Sequence, residues 1–120
     1  MKEQNNEVSS NELEKGKIHV VVQLIDYVRH AVLSRTILKK PTGNVTVSAF
    51  DAGEELAEKS TPFDSYVQII DGAAEVFINN KKFDVRIGEA IVIPAHASHY
   101  FLATHPFKMI STVIKSGYEA

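Results

Sequence analysis

The stretch whose reading decides the fold runs from Tyr66 to His99 and reads YVQIIDGAAEVFINNKKFDVRIGEAIVIPAHASH. It holds four short runs, Tyr66 to Ile70, Ala74 to Ile78, Lys82 to Val85 and Ala90 to Ile93, each bounded by turn-forming residues. Asp71-Gly72 ends the first run. Asn79-Asn80-Lys81 separates the second from the third, and asparagine tolerates the left-handed backbone that a tight hairpin needs. Gly88 opens the fourth and Pro94, which lacks an amide proton, stops it. Lys81 and Lys82 then read as solubilising charges at a hairpin tip rather than as a basic patch.

The same period of two extends outward. Val32 to Lys39 alternates Leu33, Arg35 and Ile37 against Ser34, Thr36 and Leu38, and Pro41-Thr42-Gly43 supplies a turn. Asn44 to Phe50 sets Val45, Val47 and Ala49 against Thr46 and Ser48, and Asp51-Ala52-Gly53 closes it. Downstream, Tyr100 to Ala103 and Phe107 to Ile114 flank Thr104-His105-Pro106. Roughly eight or nine short strands with hardly a helical period predict an all-β sandwich or barrel, whose closure hides its edges and encloses a pocket. Residues 1 to 16 are polar and read as a mobile tail, with one domain over 17 to 120. The stretch through Leu24, Ile25, Tyr27 and Val28 fits a short strand followed by a helical turn, and its pattern leaves the choice open.

Composition narrows the chemistry. A chain of 120 residues, 44% hydrophobic and 23% charged, supports one core. It contains no cysteine, which excludes disulfides, thiol nucleophiles, thiolate metal sites and iron-sulfur clusters. Thirteen basic against fifteen acidic side chains give a net charge of -2, so neither nucleic acid nor an anionic membrane is an expected partner. Polar residues up to Leu13 lack a secretory pattern, and Val20 to Ile25 is too short to cross a bilayer, so a cytoplasmic location is expected. Phosphate loops, HExxH and nucleophile elbows do not occur, and the chain has no room for a DNA-reading helix-turn-helix beside the barrel.

The spacing of turns and polar residues over about residues 32 to 114 resembles the cupin family in its small, single-domain form. The resemblance implies a double-stranded β-helix, or jelly-roll, barrel carrying two motifs. Gly53 and Gly72 stand at the ends of the first, and the positions where the family keeps its two histidines and glutamate hold Lys59, Thr61 and Ser65. In the second, Gly88, Pro94 and His99 match in register, while His96 replaces a glycine and Ala103 an asparagine. The resemblance therefore implies a pocket lined by Lys59, Thr61, Ser65, His99 and His96 that keeps one metal ligand of four. It also implies a homodimer, formed by strand exchange or sheet packing.

A divalent ion needs three or four ligands in fixed geometry, and a single imidazole does not supply them. An ammonium about 4 Å from such an ion repels it by on the order of several kcal/mol even at an effective dielectric near 20. The expected function is thus binding of a small organic molecule, with an anion attracted by Lys59 and His99, and no metal cofactor. The alternative is a metal-dependent enzyme of dioxygenase or isomerase type, in which Lys59 turns outward or pairs with Glu58 or Asp64 and His99 joins His96 and Asp64 at an irregular site. A third reading is an interaction module whose interior is filled by its own side chains. Without the motif register, His99 is simply a hydrogen-bonded histidine at a strand start, and His96 and His105 are solvent-facing loop residues. Tyr66, Phe101 and Phe107 read as core or subunit contacts rather than substrate platforms.

Overall fold

The computed structural model describes residues 12 to 118. Eight strands are present among them: β1 Val32–Lys40, β2 Gly43–Phe50, β3 Glu55–Lys59, β4 Ser65–Ile78, β5 Lys81–Arg86, β6 Ala90–Ile93, β7 His99–Leu102 and β8 Phe107–Ile114. All pairings are antiparallel. The first half of β4 lies between β6 and β8, and β2 and β1 continue that sheet beyond β8. The second half of β4 lies between β5 and β7, with β3 beyond β7. One long strand thus belongs to both faces of the barrel, and the all-β jelly-roll architecture follows.

The two halves of β4 are joined where a turn was expected. Asp71-Gly72 does not end the strand; the register shifts between Ile69 and Asp71, and Gly72 takes a φ of 71°. A β-bulge of this kind bends a strand sharply while keeping it paired, which lets β4 cross from one sheet to the other. The Asn79-Asn80 turn is as expected, with φ of 49° and 67°, the two left-handed residues of a tight hairpin.

Period two fills the interior. Phe50, Val67, Ile69, Ala74, Val76, Ile93, Phe101, Phe107 and Met109 form the barrel core. The rings of Phe50 and Phe107, cross-strand partners, stack with centroids 4.4 Å apart. Each buried phenylalanine contributes about 1.5–3 kcal/mol. This aromatic packing fills the core beside Gly72.

Val47 and Ala49 point out of the barrel and are nonetheless buried. Leu24, Ile25 and Tyr27 cover them, so the ambiguous N-terminal stretch holds no strand: a 3-10 turn at Val21–Gln23 leads into bends and irregular chain that form an outer layer on the sheet. A buried cation fastens it: Lys108 Nζ donates to the Val22 carbonyl at 2.7 Å and lies 4.9 Å from the Tyr27 ring centre. The Tyr27 hydroxyl donates to Asp71 at 2.6 Å; burial, then this carboxylate, pushes the phenol well above its ordinary range.

Residues 1 to 11 of the expected tail lie outside the described residues. Glu12 and Leu13, however, are fastened to β1: the Leu13 amide donates to the Ile37 carbonyl at 3.0 Å, and the Glu12 carboxylate accepts from the Lys39 amide at 2.8 Å. Glu12 and Leu13, within the stretch expected as a tail, are thus tied to β1. The Lys39 amide, followed by Lys15 and Lys40, lowers the Glu12 pKa from 4.5 to about 2. A carboxyl depressed on folding stabilises above its unfolded pKa and loses that contribution as pH falls through the folded value. Glu12→Gln is expected to melt below the parent at pH 7, the gap closing as pH drops from 4.5 toward 2. Paired melts across that window check it.

Candidate functional site

The end of the barrel opposite the phenylalanine stack holds a cavity of about 100 Å³. Its wall comes from β3 and the residues after it (Leu56, Lys59, Thr61), the start of β4 (Ser65, Val67), β6 (Ile93), β7 (His99, Phe101) and β8 (Met109, Ser111, Val113). Four of the five residues anticipated from the sequence, Lys59, Thr61, Ser65 and His99, therefore converge on one cavity.

The side of the sheet on which Lys59 lies decides the chemistry, and a backbone irregularity sets it. In β3 the pairing register with β7 runs Leu56 to Phe101 and then Lys59 to His99. Three residues on β3 thus span two on β7. In a regular strand Leu56 and Lys59 would face opposite ways, because side chains alternate. The extra residue of the bulge turns Lys59 to the inner face beside His99, and Glu58 instead accepts a short hydrogen bond from the Ser98 hydroxyl. Directly opposed cross-strand residues have Cβ atoms about 4.5–5.5 Å apart. Lys59 and His99 are thus directly opposed across β3 and β7, and both line the cavity.

Lys59 has no carboxylate partner among the described residues. Neither of the partners expected to neutralise it does so. Asp64 accepts from the Ala95 amide at 2.8 Å, and that bond, with the Tyr118 hydroxyl behind it, holds the Asp64 carboxyl below the usual carboxylate range. Asp64 is thereby committed to bracing the loop after β6, outside the cavity wall.

His99 is buried. Its Nδ1 donates to the Ala97 carbonyl at 3.1 Å, which orients the ring and leaves Nε2 as the unpaired nitrogen. The edge of the ring meets Phe101 at a centroid distance of 6.2 Å. Thr61 is partly spent on its own turn, its hydroxyl donating to the Phe63 carbonyl at 3.1 Å.

His96 departs from the expectation. It is exposed on the loop between β6 and β7, with a φ of 70°, and does not line the cavity. Its amide donates to the Thr61 carbonyl at 2.6 Å, which joins its loop to the segment after β3. The glycine that the motif resemblance puts here fits this left-handed backbone without strain; histidine adopts it at a cost of roughly 1 kcal/mol. His96 supports the rim with its backbone rather than its ring. His105 is also exposed, in a groove with Glu75, Asp84 and Arg86 on the other side of the barrel.

Seven residues of the wall were not anticipated: Leu56, Val67, Ile93 and Phe101, and on β8 Met109, Ser111 and Val113. The last three alternate with outward residues along β8, which lies beyond both motifs. Only the period of two that places Phe107 inside points to them.

The donor set does not fit the divalent ion that the barrel class implies. Among the described residues no three of histidine, cysteine, aspartate and glutamate cluster as metal ligands do. The positions around His99 carry a cation and two hydroxyls, poor ligands for a transition ion.

A curled antiparallel jelly roll with an inward-facing pocket at one end defines the class, and solved structures of that class resemble the chain. A conserved protein of unknown function from Streptococcus pyogenes is 32% identical, superposes with a TM-score of 0.84, and covers 89% of this chain and 94% of its own. A cupin 2 conserved barrel domain protein from Leptotrichia buccalis is 29% identical at a TM-score of 0.76 over 78% of this chain and 46% of that one. A cupin superfamily protein from Desulfitobacterium hafniense is 22% identical at 0.81, covering 87% and 95%. The chain has the fold of a small cupin domain. No family model and no curated protein matches it. No described helix is long and apolar enough to cross a membrane.

Proposed function

We propose that this cupin domain binds a small organic anion at the open end of its barrel, without a metal ion. The observation that carries the reading is the inward Lys59, which has no carboxylate partner among the described residues. A cation held over a partly desolvated cavity attracts an anion more strongly than it would in water. The Ser65 and Ser111 hydroxyls and the free Nε2 of His99 add hydrogen-bonding partners for its oxygens.

Titration with acetate against acetamide, a neutral isostere, tests this at constant ionic strength. The carboxylate is expected to raise the melting temperature and the amide to leave it unchanged, by the mass action of a ligand on the folded state. Lys59→Gln is expected to weaken binding at least ~10-fold, the loss of a charge-assisted bond of about 1.5–3 kcal/mol. Equal response of parent and variant, or stoichiometric metal in purified native protein, overturns the reading.

We propose further that two copies pair through the outer face of the first sheet. Leu38, Val45, Thr112, Tyr66 and Val92 are directly opposed across β1, β2, β8, β4 and β6, an uncharged row that the N-terminal layer leaves open. A two-fold interface must be self-complementary, and an uncharged row meets its own copy without repulsion. Light scattering is expected to give twice the chain mass, and Tyr66→Lys the monomer; a monomeric parent overturns this.

A further inference from the structure

The proposed anion site has a second half that selects what is attached to the anion. Below Lys59, which is exposed at the mouth, the wall consists of Val67, Ile93, Phe101 and Met109, all at most 5% exposed. None of these four carries a hydrogen-bonding group that a sugar hydroxyl or a second carboxylate needs, and burying such a group unpaired is unfavourable. The polar groups Lys59, Thr61, Ser65 and Ser111 are all less buried than this floor. His99, 5% exposed, is the one polar wall group at the depth of this floor, so beyond Lys59 and His99 the deep wall is apolar.

Volume limits the guest further. A water molecule takes up about 30 Å³, and a methylene is of similar size, so roughly three to four such groups fit. The cavity space is about 100 Å³, well below the several hundred that enclose a typical cofactor or sugar. With the carboxylate held at the mouth, the cavity takes three or four aliphatic carbons.

Resting on the anion-binding reading above, we propose that the ligand is a short, unbranched aliphatic monocarboxylate that enters tail first. Its carboxylate lies between Lys59 and His99, and its alkyl chain reaches toward Phe101 and Met109. A dicarboxylate would place its second charge on the apolar floor, where no cation faces it. An inorganic anion would leave the floor unfilled.

The test is a calorimetric series of acetate, propionate, butyrate, valerate and hexanoate, with succinate and sulfate as comparisons, on the full chain. Burial of one methylene is worth about 0.8 kcal/mol, so affinity is expected to rise about fourfold per carbon. The rise should stop at butyrate or valerate, with hexanoate no tighter and succinate and sulfate at or below acetate. Val113→Phe, a substitution in the partly exposed part of the wall, is expected to shift the optimum to a shorter chain. Methyl NMR signals of Met109 and Val67 are expected to move with valerate and not with sulfate, a readout independent of that variant's folding. If all carboxylates and sulfate bind alike, the chain-length proposal fails while the anion site stands. If none binds, both fail.

Discussion

Gly72→Ala is expected to lower the melting temperature by roughly 12–25 °C, corresponding to a loss of about 3–5 kcal/mol for a domain of this size. Two independent costs add at this position. The backbone φ of 71° is left-handed, which for any residue with a Cβ costs roughly 1–2 kcal/mol. A Cβ there would also overlap the Pro106 carbonyl oxygen and press on the Phe107 Cα at 3.0 Å. That neighbour is backbone on the adjacent strand and does not rotate away.

Relief would require β4 and β8 to separate at the point where β4 crosses between sheets, beside the stacked Phe50 and Phe107 rings. Gly88→Ala provides the control. Its φ of 83° carries the same conformational cost, but no atom lies within 4 Å of the added methyl. It is expected to lose only the roughly 1–2 kcal/mol of the conformational cost. Thermal melts by circular dichroism compare the two, and a Gly72→Ala variant no less stable than Gly88→Ala would show that the close approach of β4 and β8 contributes nothing.

Where the sequence was legible, side-chain alternation and turn residues were both present. The Asn79-Asn80 hairpin and the strands on either side of Pro41-Thr42-Gly43 are of this kind. β3 was not legible, because Glu55-Leu56-Ala57-Glu58-Lys59 is rich in charge and helix-forming residues and offers a single apolar position. It is a strand because its edge pairs with β7, a tertiary effect that local propensity does not encode. Asp71-Gly72 misleads for the opposite reason. The residues that favour a turn also permit a bulge, and what distinguishes the two is pairing with β8 on a distant part of the chain.

The site was legible in proportion to the motif frame. Lys59, Thr61, Ser65 and His99 occupy the counted positions and share the cavity, although the frame did not reveal that a bulge is what turns Lys59 inward. His96 was misplaced because a position in a motif can be kept for its backbone alone. Of the metal-supporting partners considered for His99, Asp64 accepts from the Ala95 amide and His96 is on the rim loop, outside the cavity wall. The barrel is also only partly filled by its own side chains, since the phenylalanine stack fills the core beside Gly72 and a cavity remains at His99.

The convergence of those four positions makes a demanding test possible. Combining Lys59→His, Thr61→His and Ser65→Glu adds two imidazoles and a carboxylate to the wall that already presents the unpaired Nε2 of His99. The combined change removes the ammonium, whose repulsion of a divalent ion is on the order of several kcal/mol before screening by water at the exposed rim. It also raises the ligand count from one to four, within the range that Zn²⁺ and related ions require. The triple variant is therefore expected to bind Zn²⁺ or Ni²⁺ at least ~10³-fold more tightly than the parent, by calorimetry and by elemental analysis after dialysis. Adding His99→Ala to the triple variant should remove most of that gain, while the triple variant's response to acetate should fall as its cation disappears. A folded triple variant that takes up no more metal than the parent would mean that the four side chains do not meet at one point, and the placement of Lys59 beside His99, on which the anion site depends, would be wrong.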